Sequence, residues 1–280
     1  MGKVDGRSAI PVVASVHFPY MTAWPDRAAQ DDRARTLAGF ERLGQALRAA
    51  RIDTIVAFTS EHIVNLQPRM APPFVIGVGA SHEAFPEPHF NLDPITRPGD
   101  PALAQHLVRH LHQGGFDVAH SSQLRLDHGT TLPLALLGVA SNVAVVPVII
   151  NSIFAPLPTL PRCLALGAAV AQALEASALG RRVGIVATGG ISHTVGAPGV
   201  ERNDPAFDSA FLAALREGDL NRACSYSDEL LDAAGNGTHE IRNWLAAAGA
   251  AQPRRPVEIT AIPYAAGWDS GVHQLLWEPA

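Results

Sequence analysis

Near-continuous apolar, β-branched runs recur along this chain at residues 10–17, 53–60, 74–79, 143–150, 182–188 and 257–263. Most of them do not alternate apolar with polar residues, as strands with one wet face do, so both faces of each strand must be covered. Helix-period stripes lie between several of these runs. Residues 33–50 set Leu37, Phe40, Leu43 and Leu47 at three- and four-residue spacing. Residues 101–112 (Leu103, Leu107, Val108, Leu111) and 161–179 (Leu164, Leu166, Val170, Leu174) read the same way. Doubly covered strands separated by amphipathic helices specify an α/β fold, with a mostly parallel central sheet flanked by helices. A chain of 280 residues can build this as a single domain, residues 1–280, with a full core. Pro and Gly cluster at 68–73, 86–101, 155–161 and 196–205, which read as long loops near strand ends rather than as interdomain linkers.

In such a sheet, ligands bind in the crevice outside the carboxyl ends of the strands. Four histidines sit where an apolar run stops: His17, His62, His128 in Leu126-Asp-His-Gly, and His193 in Gly189-Gly-Ile-Ser-His. Imidazole is both a metal ligand and a near-neutral acid or base, so a shared site at the sheet edge is expected. Other motifs fail. The chain has no G-x-x-x-x-G-K-[ST], no G-x-G-x-x-G entering a helix, no G-x-S-x-G elbow and no H-E-x-x-H pair. Cys163 and Cys224 form no C-x-x-C pair and read as reduced structural thiols.

Charge narrows the partners. With 21 basic and 26 acidic residues and no run of one sign, the chain suits neither a nucleic-acid groove nor an anionic membrane surface. The N-terminal Met1-Gly-Lys-Val-Asp-Gly-Arg-Ser lacks the apolar core of a signal peptide. No apolar stretch is long enough to cross a bilayer without interruption, so a cytoplasmic location is expected.

The segment Gly235-Asn-Gly-Thr-His-Glu-Ile-Arg-Asn-Trp-Leu adds a carboxylate. Asn236 or Thr238 reads as the cap of a helix whose apolar face carries Ile241, Trp244, Leu245 and Ala248. Glu240 then falls in the first turn, where the helix dipole alone is reason enough for a glutamate. Two histidines and one carboxylate also make the facial triad of non-haem Fe(II) oxygenases. Three ligands hold one face of the ion and leave the other for substrate and dioxygen.

The chain resembles the class III extradiol ring-cleavage dioxygenases of the protocatechuate 4,5-dioxygenase β-subunit type. The segments that carry the resemblance are Pro72-Pro-Phe-Val-Ile-Gly-Val-Gly-Ala, Asp127-His-Gly-Thr-Thr-Leu-Pro-Leu, Val146-Pro-Val-Ile-Ile-Asn, Ala155-Pro-Leu-Pro, Gly189-Gly-Ile-Ser-His and Thr238-His-Glu-Ile-Arg-Asn-Trp-Leu. Within that family they are most similar to enzymes acting on 2,3-dihydroxyphenylpropionate. The resemblance implies Fe(II) held by His17, His62 and Glu240, with His193 and His128 as the catalytic residues that move protons. It implies a small aromatic diol and O2 as reactants, a homo-oligomer, and in some relatives a small α-subunit as a lid. Glu61 stands where the family usually has an aspartate beside the second histidine. Ala266 and Gly267 stand where protocatechuate-cleaving relatives carry polar residues, which disfavours protocatechuate, and the overall resemblance implies a 3-substituted catechol.

Gly189 and Gly190 are expected to let the backbone approach substrate. Tyr20 and Trp24 could line an aromatic pocket, and Asp127 reads as a helix cap or as an orienter of His128. The remaining histidines, including His106 and His110 at i, i+4, read as structural or solvated. Zinc-dependent hydrolysis by the same cluster and a non-catalytic interaction module remain open at this point.

Overall fold

The computed structural model describes residues 10–93, 95–196 and 203–279. The N-terminal segment read for a leader, and most of the 196–205 cluster, lie outside the described residues. The elements run β1 (Val12–Ser15), α1 (Tyr20–Ala23), α2 (Gln30–Ala49), β2 (Thr54–Thr59), β3 (Phe74–Gly77), β4 (Ser81–His82), β5 (Arg97–Pro98), α3 (Pro101–Gln113), β6 (Ala119–Ser121) and α4 (His128–Leu136). They continue with β7 (Ala144–Ile150), α5 (Leu160–Glu175), β8 (Val183–Thr188), α6 (Pro205–Glu217), α7 (Leu220–Ala223), α8 (Asp228–Ala234), α9 (Ile241–Ala251), β9 (Val257–Ala265) and β10 (Ser270–Trp277).

Eight strands form one sheet in the order β6-β3-β7-β2-β8-β1-β10-β9, and β4 and β5 pair separately. The central β7-β2-β8-β1 block is parallel throughout. Antiparallel pairings join β3 to β7 on one side and add β10 and β9 on the other. The six apolar runs became β1, β2, β3, β7, β8 and β9, while β6 and β10 were not anticipated.

Strand geometry explains the two covering layers, because successive side chains point to opposite faces. Val12, Ala14, Val56, Phe58, Val146 and Val148 pack with Leu107 of α3, Leu166 of α5 and Trp244 of α9. Their neighbours Val13, Ile55, Ala57 and Val145 pack with Phe40 and Leu43 of α2 and Leu132 of α4. Each large apolar side chain buried this way contributes about 1.5–3 kcal/mol relative to exposure. The connections obey handedness. The β1-to-β2 crossover passes the β8 position in one direction, and the β7-to-β8 crossover passes β2 in the other. Right-handed crossovers running in opposite directions place their helices on opposite faces, and α2 and α5 lie in opposite layers.

Two local expectations are corrected. Helix α9 is buried along its whole length rather than on one stripe. A Cβ on Gly167 of α5 would fall 1.8 Å from the Ala246 carbonyl oxygen, and one on Gly249 would fall 2.0 Å from that of Leu164. The two backbones touch, so the face of α9 toward α5 has to be small. Neither Asn236 nor Thr238 caps this helix. It follows a 3-10 turn, Asn236–Glu240, and the Asn236 side chain instead pairs with both backbone groups of Val195. Among the described residues no helix is long and apolar enough to cross a membrane.

Candidate metal centre and active site

β1, β8 and β2 are parallel neighbours, so their C-terminal ends emerge side by side. His17 follows β1 by two residues, His62 follows β2 by three, and His193 follows β8 by five. His128 is the first residue of α4, and Glu240 ends the 3-10 turn ahead of α9. All five meet. Glu240 Oε1 lies 3.2 Å from His17 Nε2 and 3.5 Å from His62 Nε2, and Glu240 Oε2 lies 3.6 Å from His193 Nε2. The His62 and His128 rings stack with centroids 4.0 Å apart. Each sequence-predicted site residue therefore takes part in one cluster, in which only the His62 side chain is more than a tenth exposed, at 19%.

Partners behind the rings orient them. Asp127 Oδ2 accepts the His62 backbone N–H at 2.6 Å and its Nδ1–H at 3.1 Å, which leaves His62 Nε2 as the free donor atom. Asp127 Oδ1 accepts Gly129 N–H, so one carboxylate both caps α4 and holds His62. Glu87 does the same for His128, taking its N–H at 2.6 Å and its Nδ1–H at 2.7 Å. His193 Nδ1 donates to Ile191 O at 3.2 Å, and Gly190 N–H donates to Glu240 Oε2 at 2.7 Å. Such carboxylate–imidazole contacts fix the tautomer and strengthen a ligating nitrogen.

The electrostatics follow from burial and neighbours. Burial opposes ionisation of Glu240, yet the His17, His62 and His193 imidazoles hold its carboxyl well below the usual range. Burial alone would depress His62, but the Asp127 and Glu240 carboxylates raise it well above its ordinary value. Asp127 is held at about 2 against its own burial, chiefly by His62. For His128 and His193 burial wins and basicity falls, with neighbouring imidazoles adding to the effect.

A metal fits this donor set. Ligand atoms bound to one ion at about 2.1 Å and at right angles stand about 3 Å apart. The two imidazole nitrogens stand near that distance from one carboxylate oxygen, and Glu240 is a buried anion surrounded by imidazoles. Nitrogens of His17, His62 and His128 also lie within 4.8 Å of one another. His17 and His62 are common to both sets. Glu240 is the stronger candidate for a third ligand, because its charge would balance a cation and it already contacts both nitrogens.

Several readings change. Asp127 orients His62, not His128; the orienter of His128 is Glu87, which the sequence reading missed. Glu87 sits among prolines in a loop without periodicity, so no local signal marked it. Glu61 turns away from the cluster and accepts the N–H groups of Ile63, Val64 and Asn65. Gly189 and Gly190 admit protein rather than substrate. A Cβ on Gly189 would fall 2.9 Å from Glu240 Cβ, and one on Gly190 would fall 2.5 Å from His193 Nδ1. Tyr20 and Trp24 pack on each other, whereas the aromatic edges against the cluster are Phe18 on His193 and Phe90 on His128. Outside the site, His106 donates to Ala173 O, and His239 joins Asp232 and the buried Arg242.

Comparison with known proteins identifies the family. The chain is 31% identical to the 2,3-dihydroxyphenylpropionate/2,3-dihydroxicinnamic acid 1,2-dioxygenase of Mycobacterium sp. (strain MCS), over 73% of this chain and 80% of that one. The protein of the same name from Cupriavidus necator is 28% identical, over 93% of this chain and 95% of its own. In fold, the chain is similar to the crystal structure of uncharacterized protein JW3007 from Escherichia coli K12. That match has a TM-score of 0.61 at 18% identity and covers 95% of this chain and 99% of the other. Residues 11–264 match the family described as the catalytic LigB subunit of aromatic ring-opening dioxygenase. The chain belongs to this family of extradiol dioxygenases.

Proposed function

We propose that this protein is an Fe(II)-dependent extradiol dioxygenase whose substrate is a 3-substituted catechol of the 2,3-dihydroxyphenylpropionate class. The observation that carries the reading is the meeting of His17 Nε2 and His62 Nε2 on one oxygen of buried Glu240, with two further imidazoles alongside. The names of the relatives support the substrate class. The chain works as one catalytic domain, in the cytoplasm and as a homo-oligomer, and a small α-subunit could act with it.

His17, His62 and Glu240 hold the iron. When bound, iron would supply the chemistry that couples the catechol to dioxygen. The protein moves the protons. His193 donates its Nδ1–H to Ile191 O, which leaves its Nε2 to accept a catechol proton, and burial shifts its basicity downward. His128, with Nδ1–H on Glu87, presents Nε2 to hold a proton and return it to oxygen. Phe18 and Phe90, edge-on to these rings, limit water beside them. The balance is complete without an external reductant. The catechol provides the electrons, one ring C–C bond next to the diol breaks, and both oxygen atoms enter the product.

The test is dioxygen uptake by protein reconstituted anaerobically with Fe(II), offered 2,3-dihydroxyphenylpropionate, catechol, protocatechuate and 2-aminophenol. The expected result is one O2 per 2,3-dihydroxyphenylpropionate with a yellow ring-opened product, and weak binding of iron by Glu240→Gln. Uptake confined to protocatechuate overturns the substrate class. Unchanged iron affinity in Glu240→Gln overturns the ligand set.

A further inference from the structure

Behind the loop that carries His193 lies a buried carboxylate–imidazole pair with no part in the chemistry above. Asp208, in the first turn of α6, is 1% exposed, and His273 on β10 is 3% exposed. Asp208 Oδ1 accepts the Ser192 N–H at 2.8 Å, and Asp208 Oδ2 lies 3.2 Å from His273 Nε2. A Cβ on Gly271 would fall 3.0 Å from Asp208 Oδ2 and 2.8 Å from His273 Nε2, so a residue with no side chain makes room for the pair. Ser192 is gripped elsewhere too. Its Oγ accepts Asp204 N–H at 2.8 Å and Asn203 Nδ2 at 3.1 Å, and Asn203 Nδ2 also donates to Ser192 O at 3.0 Å.

The peptide unit explains the purpose. Ser192 N and Ile191 O belong to one planar amide, so fixing the direction of the N–H fixes the direction of the carbonyl. That carbonyl is the acceptor of His193 Nδ1–H. Asp208 therefore grips one end of the amide whose other end sets the tautomer and plane of His193. A buried carboxylate is costly unless bonded, and among the described residues neither an arginine nor a lysine bonds this one.

We infer that Asp208, braced by His273, is a positioning residue that orients the Ile191–Ser192 peptide and through it His193. The inference rests on His193 as the proton acceptor of the proposed function. Asp208→Ala lowers kcat by about tenfold or more, the scale expected of a misaligned catalytic group. It leaves iron content and catechol KM within about twofold, and it speeds amide exchange at Ser192. Asp208→Asn keeps an oxygen for Ser192 N–H and an amide for the other tautomer of His273, so it returns kcat to within about threefold of the parent.

Should Asp208→Ala fail to fold, Asp208→Ser carries the same expectation, with a hydroxyl too short to reach Ser192. Parental kcat in Asp208→Ala alongside an inactive His193→Ala overturns the positioning role alone. So does equal impairment of Asp208→Asn and Asp208→Ala. Normal turnover by His193→Ala overturns the role of His193, and this inference with it.

Discussion

His193 is packed between two glycines, and the second of them offers a test of its role that removes no reactive group. Gly237 lies in the 3-10 turn ahead of α9, in a backbone conformation open to any residue. A Cβ there would fall 2.3 Å from His193 Nε2, 2.4 Å from Cε1 and 2.6 Å from Cδ2. Atoms in contact rest about 3.5 Å apart, so in Gly237→Ala the ring edge must retreat by about 1 Å. Small tilts are blocked on the other side, where the Gly190 backbone and Phe18 close on the same ring. The imidazole has to leave its position.

A displacement of about 1 Å costs on the order of 10²-fold in rate, and complete loss of general acid–base assistance about 10²–10⁴-fold. The expected fall in kcat is therefore about 10²–10⁴-fold, equivalent to ~2.7–5.5 kcal/mol of transition-state stabilisation. Folding changes less. Overpacking costs about 1–3 kcal/mol, and replacing glycine in a helical turn returns up to about 1 kcal/mol. The assay is steady-state dioxygen uptake on iron-loaded protein, with iron per chain and a urea titration measured in parallel. A large loss of kcat with iron retained supports His193 as the proton acceptor. Parental kcat in a folded, iron-loaded Gly237→Ala protein would refute it.

Two further outcomes follow from contacts away from His193. Asp127→Ala removes the acceptor of both His62 N–H and Nδ1–H, so Fe(II) affinity should fall about 10–100-fold in competition with a chromophoric chelator; unchanged affinity would show that His62 orients itself. Asp100 caps α3 through Leu103 N–H and accepts Arg181 Nε at 2.6 Å; against the effect of burial, these hold its carboxyl below the ordinary 3.8. A depressed folded value stabilises the protein above the unfolded value and is lost as pH falls through the folded one. Asp100→Ala should therefore cost about 1–2 kcal/mol near neutrality in urea titrations, with the gap to the parent closing as pH falls below 3.8. A gap that stays constant from neutrality to about pH 3 would mean that the carboxylate charge has no part in it.

What the sequence could and could not reveal divides along physical lines. β1, β2, β7 and β8 were legible because parallel strands covered on both faces must be apolar throughout. β10, Ser270–Trp277, was not, although all eight of its residues are buried. Its Ser, Gly, His and Gln are interior polar or small residues; His273 meets Asp208 and Gln274 Nε2 donates to Thr36 O, and periodicity cannot register such distant partners. The site histidines were legible because they end strands or open a helix. Their orienters were not, because Glu87 lies 41 residues from His128 and Asp127 lies 65 residues from His62, and only the fold joins them. Helix α9 misled for a related reason. A run of Ala and Gly looks amphipathic when only its larger residues are counted, yet here the small side packs against the α5 backbone.

The same glycines explain how ligands on β1 and β2 can meet at all. Neighbouring strands lie about 4.8 Å apart, so two strands flanking a third stand about 10 Å apart. Yet the His17 and His62 rings are 5.1 Å apart, centroid to centroid. Both side chains lean inward over the end of β8, and this works only because β8 leaves the sheet without a side chain there. Gly189 has φ +147, a conformation suited to glycine, and a Cβ at this position would strike Glu240. The space vacated above β8 is filled by Glu240, which Gly190 N–H holds from below and α9 delivers from the side. Helix α9 reaches that depth because Gly167 and Gly249 let it touch α5. A methyl group added at Gly167, at Gly249 or at Gly189 would therefore converge on one outcome: displacement of the single carboxylate that closes the candidate metal site.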